Sequence, residues 1–226
     1  MGEFNEVAMM NRTTLVALLA AAAAPAALAQ QHIDAVNKYA WSENAGWLNF
    51  ADAGSPSGSQ SVLIATSYLS GYVWGENIGW INMGDGTPTN GVSYANVNGT
   101  DFGVNLNTIT GELSGYAWGE NVGWINFSGG AMATPAKPAR IDAPAHRFRG
   151  YAWGENIGWI NLDDATHYVG LRCPADLNGD GFVNGDDYDL FASWFEVADP
   201  QADITNDGFV NGDDYDAFAS AFESGC

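Results

Sequence analysis

The sequence predicts a mainly β repeat domain followed by a small all-α domain made of two loop–helix units. Two observations predict this fold class. A twelve-residue segment rich in Trp and Gly occurs four times between residues 39 and 162. A different segment, DLNGDGFVNGDD at residues 176–187, returns 27 residues later as DITNDGFVNGDD. Repetition at fixed spacing is typical of structural units that stack or duplicate.

Residues 1–29 have the pattern of a secretory signal peptide. A short basic start at residues 10–12 precedes an apolar run at 15–24 and the small-x-small cleavage site Ala27-Leu28-Ala29. The run is too short for an ordinary membrane-spanning helix. We therefore expect a secreted protein, extracellular or at the cell surface, with no membrane span. The two predicted domains then occupy residues 30–172 and 173–226.

Four aligned segments in the repeat domain hold eight of the nine Trp residues. Their first Trp residues are 33, 44 and 35 residues apart. Aromatic and β-branched residues, Gly-punctuated turns and the lack of a helical period predict strands. The segments are YAWSENAGWLNF (39–50), GYVWGENIGWINM (71–83), GYAWGENVGWINF (115–127) and GYAWGENIGWINL (150–162).

Each segment is predicted to form a β-hairpin. Trp74 and Trp80 flank a short Gly-bearing turn, so the two rings should lie near each other across the strand pair. At this turn Asn77 tolerates a left-handed backbone, and Glu76 can cap exposed turn amides. Because large aromatic side chains are usually core residues, we expect at least half of the eight Trp side chains to be buried.

The repeats are predicted to form roughly three-stranded units arranged as a closed ring. A loosely matching stretch precedes the third and fourth segments, at residues 103–114 and 139–149. The first segment lacks such a strand, but residues 167–172 resemble residues 101–106. A strand supplied from the far end would remove exposed sheet edges and close a small propeller or barrel. An open β-solenoid is the alternative.

The four turn glutamates raise the question of catalysis. A glycosidase needs two carboxylates that converge on one bond. One carboxylate at the same place in every unit is instead typical of a structural role. We therefore expect no catalytic residues, and a glycoside hydrolase is the class to consider if the protein is an enzyme. The glutamates are Glu43, Glu76, Glu120 and Glu155.

The duplicated acidic segments match a twelve-residue calcium loop, which supplies oxygens from positions 1, 3, 5, 7, 9 and 12 and has Gly at position 6. Two bound Ca²⁺ ions are predicted. The position-7 ligand is a backbone carbonyl, and position 9 acts through a water. The first set is Asp176, Asn178, Asp180, Phe182, Asn184 and Asp187, and the second is Asp203, Thr205, Asp207, Phe209, Asn211 and Asp214.

Two departures from the loop pattern affect the prediction. Position 12 is Asp in both loops, where Glu is usual, so the following helix must lie closer to the metal. Thr205 is a neutral ligand, so we expect the second site to bind less tightly. The alternative interpretation is a pair of Asp-rich, solvent-exposed turns, but two full-length copies favour calcium loops.

A duplicated amphipathic helix follows each loop, without a helix before the loop. This arrangement at residues 174–222 resembles the type I dockerin module, which attaches secreted proteins to cohesin domains. The resemblance implies that calcium folds the module. It also implies that loop positions 10 and 11 help recognise the cohesin, although the hydroxyl residues usual in cellulosomal dockerins are absent. Those positions are Gly185, Asp186, Gly212 and Asp213.

Cysteines and charge support an extracellular assignment. Cys173 and Cys226 bracket the second domain, which suggests a disulfide clasp; free thiols or an intermolecular bridge are the alternatives. Such a clasp would stabilise the fold by about 4 kcal/mol on the chain-entropy model. Residues 174–226 contain thirteen Asp and Glu and no Lys or Arg. This acidity argues against nucleic acid as a partner.

The sequence as a whole predicts a secreted, non-catalytic modular protein whose dockerin-like domain displays the β-repeat domain on a cohesin-type partner. The alternative is a polysaccharide-binding or polysaccharide-degrading component of an extracellular complex. A structural surface-layer component is a third hypothesis. No nucleophile elbow, phosphate loop or His-based metal spacing points to another class.

Overall fold

A computed structural model describes residues 31–205 and 208–224 and has a mainly β fold with two α-helices, as predicted. The predicted signal peptide, residues 1–29, lies outside the described residues. Within the described ranges, no helix is both long and apolar enough to cross a membrane. The strands are β1 (Gln31–Ser42), β2 (Gly46–Asn49), β3 (Leu63–Ile64), β4 (Leu69–Ser70), β5 (Tyr72–Gly75), β6 (Gly79–Asn82), β7 (Val104–Leu106), β8 (Leu113–Gly119), β9 (Gly123–Asn126), β10 (Arg140–Asp142), β11 (Arg147–Arg149), β12 (Tyr151–Gly154), β13 (Gly158–Asn161) and β14 (Val169–Leu171), and the helices are α1 (Gly185–Glu196) and α2 (Gly212–Ser224).

Eight of the strands form a closed antiparallel barrel. Their order is β1, β2, β5, β6, β8, β9, β12, β13 and back to β1. Each of the four Trp-rich segments supplies one hairpin, and neighbouring hairpins are hydrogen-bonded to each other. The closed arrangement is therefore a barrel, and neither a propeller nor an open solenoid.

Neighbouring hairpins are staggered by two residues. Asn49 pairs with Tyr39 inside its own hairpin and with Trp74 across the junction. Trp74 stands two positions after Tyr72, the equivalent of Tyr39 in the second hairpin. The same offset recurs at the other three junctions. A regular stagger of this kind tilts the strands and allows the sheet to close.

Small and medium apolar side chains fill the barrel. Ala or Val from the first strand of each hairpin and Leu or Ile from the second point inward and are almost fully buried. An eight-stranded barrel has an interior just wide enough for such side chains. These residues are Ala40, Leu48, Val73, Ile81, Ala117, Ile125, Ala152 and Ile160, and the ends of the core are closed by Ala45, Ile78, Val122 and Ile157 on the turn side and by Phe50, Met83, Phe127 and Leu162 on the other.

The hairpin turns differ from the predicted geometry in one respect. The left-handed residue of the second turn is Gly79, with φ +77°, and not Asn77. The Asn77 side chain instead donates a hydrogen bond to the carbonyl of Ala45 in the preceding hairpin, at 3.2 Å. Its equivalents do the same, so four amide side chains join the four turns around one barrel end: Asn44 to Ile157, Asn121 to Ile78 and Asn156 to Val122.

The outer strands extend from the barrel wall. β14 pairs with the first half of β1, ahead of the first Trp-rich segment, so the strand predicted to come from the far end of the domain does reach β1. The barrel is closed by the pairing of β1 with β13, however, so the prediction that the far-end strand closes the ring is wrong. β14 also pairs with β11, which pairs with β10. Strand β7 pairs with the extended β8.

The two helices form a separate hydrophobic cluster. The rings of Phe191 in α1 and Phe218 in α2 are stacked, with centroids 4.2 Å apart and planes 2° from parallel. Both residues are buried, together with Ala175 and Ala202. This cluster shares no residue with the barrel core. The helical segment thus has its own packing centre.

Candidate functional sites

The first acidic loop is organised around Asp176, a buried carboxylate. Its Oδ1 accepts hydrogen bonds from the backbone N–H groups of Gly179 and Asp180, at 2.9 and 3.1 Å. Its Oδ2 accepts one from Gly181 at 3.0 Å. Gly181 has φ +87°, which suits the glycine expected at position 6 of a calcium loop. The loop therefore wraps around the side chain that begins it.

Asp187 joins the two ends of the same loop. Its carboxylate is completely buried. Oδ1 accepts hydrogen bonds from the N–H groups of Leu177 and Asn178, at 2.8 and 3.2 Å, and Oδ2 accepts one from Asn184 at 3.0 Å. Asn184 in turn caps α1 by accepting from the Asp186 N–H at 2.8 Å. The predicted position-12 ligand is thus held at the start of the helix, inside the loop.

The second loop repeats this arrangement around Asp214. Its buried carboxylate accepts hydrogen bonds from the Thr205 N–H and hydroxyl, both at 3.0 Å, and from the Asn211 N–H at 2.9 Å. Burial opposes ionisation, but these hydrogen bonds outweigh it and hold the pKa of Asp214 below its usual value. The Gly208 N–H donates to Asp203, as Gly181 does to Asp176. Of the predicted ligands, Asp207 lies outside the described residues.

The oxygen-rich donor set fits a hard cation such as Ca²⁺. In the first loop, buried Asp176 and Asp187 lie beside the exposed side chains of Asn178 and Asp180, and the Asn178 amide donates to Asp180 at 3.1 Å. Among residues 31–205 and 208–224, however, no group of three or more His, Cys, Asp or Glu side chains is close enough to hold a metal by itself. Each loop places its predicted ligands on one short segment, but the described acidic side chains do not form a complete coordination shell.

The residues implied in partner recognition lie at the exposed starts of the helices. Gly185 and Asp186 open α1, and Gly212 and Asp213 open α2. Sequence reasoning missed the side chains of Phe182 and Phe209, which it used only for their carbonyls. Both rings are 71% exposed. A Phe at a loop position that otherwise faces solvent was the signal that could have identified them.

Only one of the two cysteines of the predicted disulfide lies within the described residues. Cys173 is packed against the helical cluster. Cys226, its predicted partner, lies outside the described residues. The clasp therefore stays a prediction.

The outer wall of the barrel carries the eight Trp residues of the hairpins, so the expectation that at least half would be buried is wrong. Seven are 36–44% exposed and Trp153 is partly buried. The two Trp residues of each hairpin are direct cross-strand partners, which places both on one face. Their rings lie 4.5–4.7 Å apart, which confirms the predicted proximity.

Two grooves run along this wall where hairpins meet. We name each groove by the hairpins that form it. Groove 1–2 has a volume of about 340 Å³, and groove 4–1 about 400 Å³. Each takes Tyr, the second Trp and Asn from one hairpin and the first Trp and Glu from the next. Groove 1–2 is lined by Tyr39, Trp47, Asn49, Trp74, Glu76 and His167, and groove 4–1 by Tyr151, Trp159, Asn161, Trp41, Glu43 and Lys137, with residues 133–135.

Polar side chains in the grooves are held by local contacts. Asn49 accepts hydrogen bonds from the N–H groups of Ala51 and Asp52, at 2.9 and 3.1 Å. Asn161 accepts one from Asp163 at 3.0 Å. The Lys137 ammonium lies over the Tyr151 ring, 5.6 Å from its centroid. Both grooves thus combine aromatic faces with hydrogen-bond donors and acceptors.

The turn glutamates do not play the predicted capping role. All four side chains are exposed, and within residues 31–205 no turn amide donates a hydrogen bond to any of them. The closed barrel places the four turns at one end. Glu43 and Glu76 line the two grooves. They therefore stand beside aromatic side chains and are available to an external ligand.

Comparisons with protein-family models, with curated proteins and with solved structures found no match to this chain.

Proposed function

We propose that the C-terminal unit is a calcium-dependent docking module that attaches a secreted, non-catalytic barrel domain to a cohesin-type partner. The observation that carries this proposal is the burial of three carboxylates, Asp176, Asp187 and Asp214, in residues 174–226, which contain no Lys or Arg. The neighbouring Arg172 donates to the backbone carbonyls of Asp176 and Leu177. A buried carboxylate is costly unless a positive charge or a metal compensates it. Backbone N–H groups supply part of that compensation here, and a divalent cation would supply the rest.

Calcium would be held in each loop by the oxygen donors already named. In the first loop these are the side chains of Asp176, Asn178, Asp180 and Asp187, the Phe182 carbonyl, and Asn184 through a water. When bound, the ion neutralises the carboxylates and stabilises the folded loop against its own charge repulsion. Asp187 connects the loop to the first turn of α1, so calcium and helix order are coupled. The second loop repeats this set from Asp203 to Asp214, with Thr205 as its neutral member.

The duplicated helices offer two equivalent faces to a partner. Phe182 and Phe209 are exposed apolar side chains next to the exposed helix starts at Gly185 and Gly212. Exposed aromatic residues are enriched at interaction surfaces. Because the two copies are nearly identical in sequence, either face has the same chemistry. We place the partner contact on these faces.

The test is calcium-dependent capture of the full chain on a panel of immobilised type I cohesin domains. We expect at least one cohesin to retain the chain in Ca²⁺ and to release it in chelator. The paired change Asp187→Asn with Asp214→Asn should abolish retention. The paired change Asp189→Asn with Asp216→Asn removes the same charge from exposed positions of the same helices and should preserve it. Failure of every cohesin to retain the calcium-loaded chain would overturn the docking proposal.

The apolar part of the partner surface has its own test. Phe182→Ala with Phe209→Ala should weaken capture by at least about thirtyfold, which corresponds to the ~2 kcal/mol threshold of a hot-spot side chain, while leaving calcium binding unchanged. Val197→Ala, at an equally exposed apolar position after α1, is the matched control and should have little effect. Equal losses in both variants would argue against a specific face.

A further inference from the structure

We propose that groove 1–2 and groove 4–1 bind pyranose rings of a neutral polysaccharide. This site lies on the barrel wall and does not rest on the docking function. The inference starts from a feature that the barrel core does not need: every hairpin carries two Trp side chains on its outer face, seven of the eight exposed, and one exposed Glu in its turn. Exposed contiguous aromatic surface on a soluble domain commonly marks a binding site.

The repeated composition of the grooves argues for a ligand with both apolar and polar surfaces. Each groove places two Trp and one Tyr around one Asn and one Glu. Trp and Tyr combine a large apolar face with a polar edge that tolerates water. A pyranose ring has a matching design, with C–H groups on its faces and hydroxyl groups around its rim. The groove volumes fall within the range of small-molecule sites.

The hydrogen-bonding groups distinguish a sugar from other ligands of aromatic sites. Each groove has an acceptor in Glu76 or Glu43, an amide in Asn49 or Asn161, and a ring or ammonium nitrogen in His167 or Lys137. The hydroxyl groups of a sugar can donate hydrogen bonds to the Glu carboxylate and accept them from the Asn amide and from the His or Lys nitrogen.

A quaternary ammonium ion, the usual guest of an aromatic cage, neither donates nor accepts hydrogen bonds. Lys137 would repel it from groove 4–1, whereas Glu76 would attract it to groove 1–2, so it is the competing ligand that the test must distinguish from a sugar. Anionic sugars are disfavoured by Glu76 and Glu43, and by the excess of acidic residues over basic ones in the whole chain.

The two grooves flank the same hairpin. The hairpin of β1, β2 and their turn supplies Trp41 and Glu43 to groove 4–1 and Tyr39, Trp47 and Asn49 to groove 1–2. A polymer that places one ring in each groove would bind more tightly than a single sugar, because the second contact becomes intramolecular. We therefore expect affinity to rise with chain length.

The test uses the full chain and a panel of neutral hexasaccharides from β-1,4-glucan, xylan, mannan and chitin, each titrated while Trp fluorescence and Trp indole NMR signals are recorded. We expect at least one hexasaccharide to bind and to shift the indole signals of Trp47 and Trp74, and its disaccharide to bind more weakly. Tetramethylammonium is the competing probe. Binding of tetramethylammonium alone, or of none of the probes, would overturn the proposal.

Variants locate the site. Trp74→Ala should weaken binding of the active hexasaccharide about tenfold, which corresponds to about 1.4 kcal/mol, and Trp74→Tyr should recover most of it because an aromatic face remains. Trp80 is the cross-strand neighbour of Trp74 but does not line either groove. Trp80→Ala is therefore the control and should leave the affinity for the active hexasaccharide unchanged, although loss of the neighbouring ring shifts the Trp74 signal itself. Equal losses for Trp74→Ala and Trp80→Ala, with both variants folded, would contradict the assignment.

Discussion

At the scale of single residues, this fold depends on where a side chain is left out. Gly75 faces the barrel core, and a Cβ added to its α-carbon would lie 2.6 Å from Ile78 Cγ1 and 2.9 Å from Leu48 Cδ2. The missing side chain lets Ile78 fold over the end of the core, where it is buried. Gly119 and Gly154 are equivalent and would crowd Val122 and Ile157 at 2.6 Å. This Gly is thus a packing requirement in the three segments that place Ile or Val over the core end; the first segment has the buried Ser42 at the same position and the smaller Ala45 in its turn.

The substitution Gly75→Ala tests this requirement. We expect it to lower the free energy of unfolding by about 1–3 kcal/mol, the cost of overpacking a filled core. Chemical denaturation followed by Trp fluorescence measures the change. Gly99→Ala is the control, because a Cβ at Gly99 meets nothing within 4 Å. A Gly75→Ala variant as stable as Gly99→Ala would contradict the packing account.

The identity of single residues also explains why the prediction of buried Trp side chains was wrong. The paired Trp rings and the tight turn followed from the segment alone. Their orientation did not, because we treated Trp as a core residue in general. Ala40 and Leu48, which are each next to a Trp in the chain and opposite each other in the hairpin, occupy the inward positions, and an eight-stranded barrel has room for side chains of that size. Two Trp residues opposite each other in a hairpin must share a face, so the small inward residues settle which face that is.

At the scale of elements, the four hairpins are held together by more than strand pairing. Asn121 donates to the carbonyl of Ile78 at 3.0 Å, across the junction of the second and third hairpins. The carbonyl belongs to a residue whose side chain closes the core. Each turn is therefore fastened to the turn before it. The sequence predicted for the equivalent Asn77 only that it tolerates a left-handed backbone, because a bond between hairpins becomes visible only when the order of the hairpins in the barrel is known.

Asn121→Ala should remove this bond without disturbing the strands. The expected loss in free energy of unfolding is about 1 kcal/mol, the net value of a typical hydrogen bond. Glu120→Ala, at the exposed neighbouring position of the same turn, should change stability by less than about 0.5 kcal/mol. Thermal and denaturant unfolding of both variants provide the comparison. A larger loss of stability in Glu120→Ala than in Asn121→Ala would contradict the proposed role of the turn Asn side chains in joining the hairpins.

A cluster of ion pairs stabilises the outer strands. Arg149, on β11, contacts Asp142 at 3.2 Å and Asp163 at 2.9 Å, and Arg140 contacts Asp142 from β10 at 3.2 Å. Arg147 pairs with Asp163 and lies over the ring of Tyr168. Burial opposes ionisation of Asp142, but the two arginines outweigh it and hold the pKa of Asp142 below its usual value.

This lowered pKa predicts a pH-dependent contribution to stability. A carboxylate whose pKa is lower in the folded state stabilises the fold fully above its unfolded pKa, about 3.9, and loses that contribution as the pH falls through the folded value. Asp142→Asn should therefore destabilise the protein at pH 7 and have a shrinking effect below about pH 4. Unfolding of wild type and variant across this range, in chelator, measures the difference. A pH-independent difference would contradict the electrostatic origin.

At the scale of the whole molecule, the long first strand completes the barrel. β1 pairs with β2 and β13 through its second half and with β14 through its first half. The contact between β1 and β13 joins residues more than a hundred positions apart, such as Ser42 and Ile160. A Ser42 hydroxyl bond to the carbonyl of Ile157, at 3.1 Å, reinforces it. Groove 4–1 exists only because of this closure, so no local sequence pattern could have predicted it.

The acidic loops, unlike groove 4–1, could be predicted largely from the local sequence. Their predicted ligands lie within twelve consecutive residues, so the motif predicted Gly181 at the turn of the first loop and Asp187 at the helix start. The left-handed conformation of Gly181 agrees with that turn. The exposed Phe182 and Phe209 were missed because a loop template describes ligands and not the remaining side chains. Local chemistry was predictable here, and the surface that faces a partner was not.

The central claim is that the buried carboxylates of the helical unit hold calcium. The most direct measurement is isothermal titration calorimetry of the full chain with Ca²⁺ after exhaustive dialysis against chelator. We expect two bound ions per chain, the weaker one in the loop that contains Thr205, and loss of both in the variant that combines Asp187→Asn with Asp214→Asn. Titration heats no larger than dilution, in a protein with unchanged folding, would contradict it.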